Sequence, residues 1–110
     1  MAGDKIKVLT KSNFEQIVVN SDMPVLVDFW ASWCGPCRAV APVMEELSEE
    51  YGDKVVIGKV NVDEEGDLSA KFRIMSIPTI MLFKGGQVVD KVVGARSKNE
   101  FAQMLDKNVD

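Results

Sequence analysis

The sequence contains no histidine and only two cysteines among its 110 residues. A structural zinc site usually takes four cysteine or histidine ligands, so this chain could complete one only by sharing the metal with a second chain. No apolar run approaches the roughly 20 residues that a membrane-spanning helix needs. Acidic residues number 17 against 13 basic ones, for a formal charge of −4. A negative net charge does not attract nucleic acid or an anionic membrane, and we expect neither as a partner.

The length and composition fit a single domain spanning residues 1–110. Apolar residues make up 46% and charged residues 27%, proportions that are ordinary for a soluble globular protein with one core. Residues 1–7 contain neither an apolar core nor a cleavage-site pattern, so we expect no signal peptide. The expected location is the cytoplasm, and the expected state is a monomer.

The pattern of apolar residues predicts elements in the order βαβαβαββα. Alternation or continuous apolar runs predict strands at 5–8, 25–30, 55–62, 79–83 and 88–93, the last two joined by a hairpin turn at 84–87. Capping boxes at Ser12 and Ser97 each predict a helix, and helical spacing predicts two more at 38–51 and 67–72, with a bend at Pro42. This order predicts an α/β fold, with a central mixed five-stranded sheet flanked by four helices.

Both cysteines lie in one stretch, Trp33-Cys34-Gly35-Pro36-Cys37, between an apolar strand and the longest predicted helix. A Cys-x-x-Cys at a strand-to-helix junction is typical of a redox-active dithiol. A purely structural disulfide is the alternative, although a bridge between residues three apart would constrain the unfolded chain little.

The position of the two cysteines indicates how such a dithiol would react. Cys34 falls at or next to a helix N-terminus, where unpaired N–H groups and the helix dipole should lower the pKa of its thiol. Its thiolate would attack a substrate disulfide, and Cys37, one turn further along, would resolve the mixed disulfide. Gly35 allows close approach of another chain, and Pro36 suits the first helical turn. Neither has a side chain that donates a hydrogen bond to the thiolate, which favours a reductant.

Several separate segments make the chain similar to the thioredoxin family over about residues 8–105. They are Asp28-Phe29-Trp30-Ala31, the stretch around Cys34, Pro42, Lys59-Val60-Asn61-Val62-Asp63, Ile77-Pro78-Thr79 and Gly94. The resemblance implies the thioredoxin fold and a cytosolic protein-disulfide reductase without a bound cofactor. Thioredoxin reductase would recharge its Cys34–Cys37 disulfide with electrons from NADPH. It also implies a cis Ile77–Pro78 bond facing the dithiol, and Arg38 keeps the charge of a lysine that many relatives have.

Asp28 and Lys59 are charged residues that interrupt two apolar strands. A desolvated carboxyl has a raised pKa, so Asp28 could exchange protons with Cys37 through a water molecule. Lys59 in the adjacent strand could balance its charge. The alternative is that Asp28 occupies an edge strand and stays solvated.

We also predict an apolar platform for flexible loops that contain disulfides, formed by Trp33, Ile77, Pro78, Gly94 and Ala95. A cis turn at Pro78 would leave the backbone of Ile77 free to pair with an extended substrate segment. We interpret Trp30 as core packing around the site, and the remaining charges, such as Asp63, as solvated faces.

Two other functions stay open beside a general dithiol reductant. The same fold could make disulfides in an oxidising compartment, although the Gly35-Pro36 pair and the absence of a signal peptide count against this direction. A third possibility is a binding subunit whose partner uses the apolar platform and ignores the thiols, a role that could coexist with reduction.

Overall fold

The computed structural model describes residues 5–109 and arranges five strands in one mixed sheet, in the order β1-β3-β2-β4-β5. The strands are β1 (Ile6–Val8), β2 (Val25–Trp30), β3 (Val56–Asn61), β4 (Thr79–Lys84) and β5 (Gln87–Val93). The helices are α1 (Glu15–Val19), α2 (Gly35–Glu50), α3 (Gly66–Lys71) and α4 (Lys98–Asn108). The predicted element order and fold class are confirmed. Residues 1–4 and residue 110 lie outside the described residues. The predicted absence of a signal peptide concerns residues 1–7 and therefore falls partly outside them.

Strand β2 lies at the centre of the sheet. It pairs in parallel with β3 on one side and antiparallel with β4 on the other. The central position explains why the apolar run at 25–30 is nearly all buried. Strands β4 and β5 form a hairpin through Gly85 and Gly86, whose φ angles of 60° and 81° fit the two-residue turn that suits twisted antiparallel strands.

Alternation along the strands divides the buried side chains between two cores. Leu26 on β2 belongs to the core under α2 and α4, together with Met44 of α2 and Phe101 of α4. Val27 belongs to the opposite core, with Phe14 and Leu68 from the α1 and α3 side. Because side chains repeat every second residue, Asp28 shares the face of Leu26 and is directed toward α2.

The prediction that Ser12 caps the first helix is wrong. The chain enters α1 through Phe14, and no side chain caps this end. The Asn13 carboxamide instead closes the preceding turn, because its oxygen accepts from the N–H of Thr10 at 2.7 Å and its nitrogen donates to the Val8 carbonyl. The N–H of Asn20 donates to the carbonyl of Glu15, five residues back, so α1 is a wide π-type turn.

The capping box predicted at Ser97 is confirmed at the start of α4. The Ser97 hydroxyl accepts from the N–H of Glu100, and the Glu100 carboxylate accepts from the N–H of Ser97. Pro42 lies inside α2, and the bend expected there stays a prediction.

Candidate active site

Three strand ends meet at one edge of the sheet. The register pairs Phe29 near the end of β2 with Thr79 at the start of β4, and Thr79 with Val93 at the end of β5. The segments that follow β2 and β5 and precede β4 therefore emerge side by side. Ligands of open α/β sheets bind at this kind of edge.

The two cysteines form a disulfide at the junction of β2 and α2, with their Cα atoms 5.2 Å apart. Cys34 is the N-cap residue of α2, as the sequence predicts, and its sulfur accepts from the N–H of Cys37 at 3.2 Å. Pro36 occupies the first turn, where its missing N–H leaves no helical bond unmade. Both cysteines are buried with Ala31 against Trp30 and Ile77, while Gly35 and Pro36 are exposed.

The loop before β4 closes against the disulfide. The Ile77–Pro78 peptide bond is cis, as the resemblance implies, and the Ile77 carbonyl oxygen lies 3.7 Å from the sulfur of Cys34. The N–H of Gly94 donates to the Pro78 carbonyl at 2.8 Å, so the end of β5 is held beside this loop. Ile77, Pro78 and Gly94 are therefore brought together near the dithiol, and Ala95 is exposed directly after them.

Trp33 is 66% exposed, and its indole makes one side-chain hydrogen bond. Its Nε1 donates to Oδ2 of Asp63 at 2.8 Å. Asp63 is predicted from the sequence only as a solvated charge, and this contact is not part of that prediction. A signal was present, since Trp33 and Asp63 each follow shortly after one of two neighbouring parallel strands and so emerge at the same sheet edge.

Asp28 is buried in the middle of β2, with only 6% of its surface exposed. Its Oδ1 has no hydrogen-bond partner among the described residues. The pKa of Asp28 is raised to about 7. Burial raises it, and the charge of Lys59 lowers it by a smaller amount. The alternative of a solvated edge position is wrong, because β2 has a neighbour on each side.

Lys59 is the register partner of Asp28 in the adjacent strand β3. Its Nζ lies 5.3 Å from the centroid of the Trp30 ring, a cation–π distance. Lys59 is half-buried, and its positive charge acts on the Asp28 carboxyl by lowering its pKa. Trp30 is also half-buried and packs against the cysteines, in agreement with its predicted role.

A cavity of about 200 Å³ joins these groups to α2. Asp28, Trp30 and Lys59 line it from the sheet, and Cys37 and Met44 line it from the helix. A water molecule occupies about 30 Å³ in the liquid, so the cavity has room for a few water molecules. The Nε1 of Trp30 is, like Oδ1 of Asp28, a buried polar atom without a partner in the described part of the chain.

Among residues 5–109, no group of three or more histidine, cysteine or carboxylate side chains is arranged to hold a metal ion. In the same part of the chain, no helix is both long and apolar enough to span a bilayer.

A helix-capping Cys-x-x-Cys pair at the carboxyl edge of a central strand, at bonding distance, defines a dithiol–disulfide oxidoreductase. Comparison with known proteins narrows this class. The thioredoxin family model matches residues 5–107, nearly the whole sequence. The chain belongs to the thioredoxin family, and its activity is that of a protein-disulfide reductase.

Individual relatives are similar along almost their full length. Thioredoxin 1 of Nostoc sp. is 54% identical over 101 residues, which cover 92% of this chain and 94% of the relative. Thioredoxin 1 of Synechococcus elongatus is 52% identical over 101 residues, with the same coverage. The thioredoxin of Pyropia yezoensis is 46% identical over 104 residues, 94% of this chain and 97% of the relative.

Proposed function

We propose that Cys34 is the nucleophile and Cys37 the resolving thiol of a general dithiol reductant. The observation that carries this assignment is the N-cap position of Cys34, whose sulfur already accepts from the N–H of Cys37. In the reduced protein the same N–H and the positive end of the helix dipole would stabilise a Cys34 thiolate. Cys37 is the third residue of α2, and among the described residues no group donates a hydrogen bond to its sulfur.

The reaction then proceeds in two exchanges. The Cys34 thiolate attacks one sulfur of the substrate disulfide, forms a mixed disulfide and releases the other substrate sulfur as a thiolate. Cys37 loses its proton and attacks the sulfur of Cys34. The second substrate thiolate leaves, two electrons have passed to the substrate, and the Cys34–Cys37 disulfide has formed.

Asp28 is proposed to accept the proton of Cys37. Support comes from the shared cavity, from a pKa of about 7, and from the carboxyl oxygen that has no partner among the described residues. A general base with a pKa near the working pH is the most effective. Lys59 is proposed to balance the charge of the ionised carboxylate.

The substrate is proposed to bind across the platform of exposed and half-buried groups around the dithiol. Trp33 offers an apolar surface held by Asp63, and Gly35 and Pro36 leave the approach to the disulfide uncrowded. The backbone beside Pro78 would receive an extended substrate segment. The platform is formed by Trp33, Ile77, Pro78, Gly94 and Ala95, and Gly35 and Pro36 adjoin it.

We further propose that residues 1–110 act as one monomeric domain in the cytoplasm, where a reducing environment favours a dithiol reductant. Thioredoxin reductase would restore the dithiol with electrons from NADPH, and disulfide-containing proteins would be the substrates. Neither a bound cofactor nor a metal takes part, and no nucleic acid or membrane is bound. The pairing of Cys34 with Cys37 is the structural support for the redox step.

A trapping experiment tests the two cysteine roles. Each protein is reduced, mixed with a peptide containing one disulfide, quenched with acid and analysed by mass spectrometry. Cys37→Ser should accumulate the mixed disulfide at residue 34, whereas Cys34→Ser should form almost none. Accumulation in the Cys34→Ser variant instead would reverse the assignment.

A binding role that ignores the thiols is a second candidate, favoured by the exposed Trp33 beside the active site. The double variant Cys34→Ser, Cys37→Ser separates the two functions. It should lose all disulfide reduction, whereas a partner that uses only the platform would still bind it.

A further inference from the structure

Arg73 adopts a backbone conformation that favours glycine, with φ at 55°. It follows α3 in the arrangement that commonly ends a helix: its N–H donates to the Ala70 carbonyl and the N–H of Ile74 donates to the Ser69 carbonyl. Side chains with a Cβ destabilise this left-handed position. Such outliers cluster at functional sites, so the arginine side chain needs an explanation beyond ending the helix.

Arg73 borders a groove of about 70 Å³ beside the active-site edge of the sheet. Met75 and Val93 are apolar parts of its wall and are 92% and 44% exposed. Lys91 borders the groove as well. The full lining consists of Arg73, Ile74, Met75, Ser76, Thr79, Met81, Lys91 and Val93.

The groove carries positive charge on an acidic protein. Its lining holds two cations and no carboxylate, although the formal charge of the whole chain is −4. Over residues 5–109, the ion pairs involve other residues than Arg73 and Lys91. Asp90, the acidic residue next to Lys91 in the sequence, accepts a hydrogen bond from the backbone N–H of Lys91 at 2.8 Å. The groove is therefore complementary to a ligand that supplies its own carboxylates.

The groove is also continuous with the proposed substrate platform. Ser76 and Thr79 line it and enclose the Ile77–Pro78 pair in the sequence, and Val93 directly precedes Gly94. The Thr79 hydroxyl donates to the Ser76 carbonyl at 2.6 Å and braces this loop. An extended segment that pairs with the backbone of Ile77 would reach the groove within a few residues, at about 3.3 Å per residue.

We propose that this groove binds an extended acidic segment of a protein substrate, a few residues from the cysteine that reacts with Cys34. Arg73 and Lys91 receive carboxylates of the segment, and the flexible thioether of Met75 packs against its apolar side chains. The groove thus makes the reductase prefer disulfides with aspartate or glutamate nearby. The inference rests on the proposed reduction of protein disulfides and adds a substrate class to it.

Two peptides with one intramolecular disulfide test this preference. They share one sequence, except that the residues a few positions away from each cysteine are glutamate in one peptide and glutamine in the other. The wild type should reduce the glutamate peptide with a kcat/KM about three- to tenfold higher, the range that two exposed ion pairs can supply. Because exposed charges are screened, 1 M NaCl should remove most of the difference.

The double variant Arg73→Gly, Lys91→Gln should lose the preference and reduce the two peptides with equal kcat/KM. Lys54→Gln, Lys84→Gln is a matched control, since it removes two cations from a different pocket at the other end of β4. The control should keep the full preference for the glutamate peptide.

The single variant Arg73→Gly separates a structural role from a binding role. Glycine relieves the left-handed strain, so the melting temperature should rise while the preference for the glutamate peptide falls. If the preference were unchanged in Arg73→Gly and in the double variant, or absent in the wild type, the groove inference would fail while reduction itself stood. If the wild type reduced neither peptide, the proposed function would fail first.

Discussion

Asp28 and Lys59 occupy paired positions in the neighbouring parallel strands β2 and β3, and both line the cavity under α2. The carboxyl is the more buried of the two, and burial outweighs the charge of Lys59 to raise its pKa to about 7. An ionisable pair at the centre of a sheet reduces stability unless hydrogen bonds compensate for lost hydration, and Oδ1 of Asp28 has none among the described residues. The pair therefore combines a raised carboxyl pKa with a penalty in folding free energy.

Asp28→Ala should stabilise the oxidised protein by an amount that grows with pH. Below about pH 4 the carboxyl is protonated in both folded and unfolded chains, and its pKa shift has no effect. Between pH 4 and about 7 the unfolded chain ionises while the folded chain keeps its proton, so wild-type stability falls relative to the variant. Above about pH 7 the difference is constant and reaches at most about 4 kcal/mol.

Urea unfolding at pH 4, 6 and 8 measures this difference. The variant's gain or loss from repacking the cavity is independent of pH, so only the slope is diagnostic. A difference in stability that is the same at all three pH values would show that Asp28 does not titrate with a raised pKa.

The same substitution should slow the resolution of the mixed disulfide, because Cys37 would lose its proposed proton acceptor. We expect about a 100-fold decrease near pH 7, the lower end of the range for general base catalysis. Stopped-flow measurement of substrate thiol release gives the rate, and in the wild type it should rise with pH through about 7. Equal resolution rates in the two proteins would remove Asp28 from the proton transfer.

The sequence was sufficient to predict the order of the strands and helices and the position of the dithiol, because local patterns determine these features. A continuous apolar run is typical of a strand covered on both faces, and this places β2 at the centre and buries Asp28. Pro36 and the helical spacing that follows place Cys34 at a helix N-terminus. These features depend on residues close together in the chain.

The features that the sequence did not reveal depend on segments that are distant in the chain or on competition between nearby groups. The bond between Trp33 and Asp63 joins loops 30 residues apart. Ser12 and Asn13 are both good capping residues, and only the geometry of the turn decides that Asn13 closes it. The left-handed Arg73 occupies a position where a propensity argument expects glycine, so no pattern indicates it.

Lys59→Met should raise the pKa of Asp28 above about 7, because the substitution removes the cation that now lowers it. Carbon-13 NMR of the Asp28 carboxyl carbon across pH 5 to 10 would follow this shift directly. Lys7→Met is a matched control. It removes an exposed lysine from β1, and the register partner of Lys7 in β3 is Gly58. An unchanged Asp28 pKa in Lys59→Met would show that the two groups are not coupled.

Gly58→Ala should destabilise the protein, because β1 leaves no room for a side chain at this position. A Cβ there would lie 2.6 Å from Cδ1 of Leu9 and 3.2 Å from the Lys7 carbonyl oxygen. Overpacking of this kind reduces the free energy of unfolding by about 1–3 kcal/mol. Gly66→Ala is the control, since nothing lies within 4 Å of its added Cβ, and it should be neutral or stabilising. Equal stabilities of the two variants would contradict this account of the packing of β1 and β3.

The direction of electron flow is the central claim, and the reduction potential of the Cys34–Cys37 pair tests it most directly. The protein is equilibrated with glutathione or dithiothreitol buffers of known ratio, quenched with acid, and the fraction of dithiol is measured after alkylation. A reductant should give a value near the one characteristic of thioredoxins, about −270 mV. A value near that of a disulfide donor, about −120 mV, would contradict the account and make the protein an oxidant.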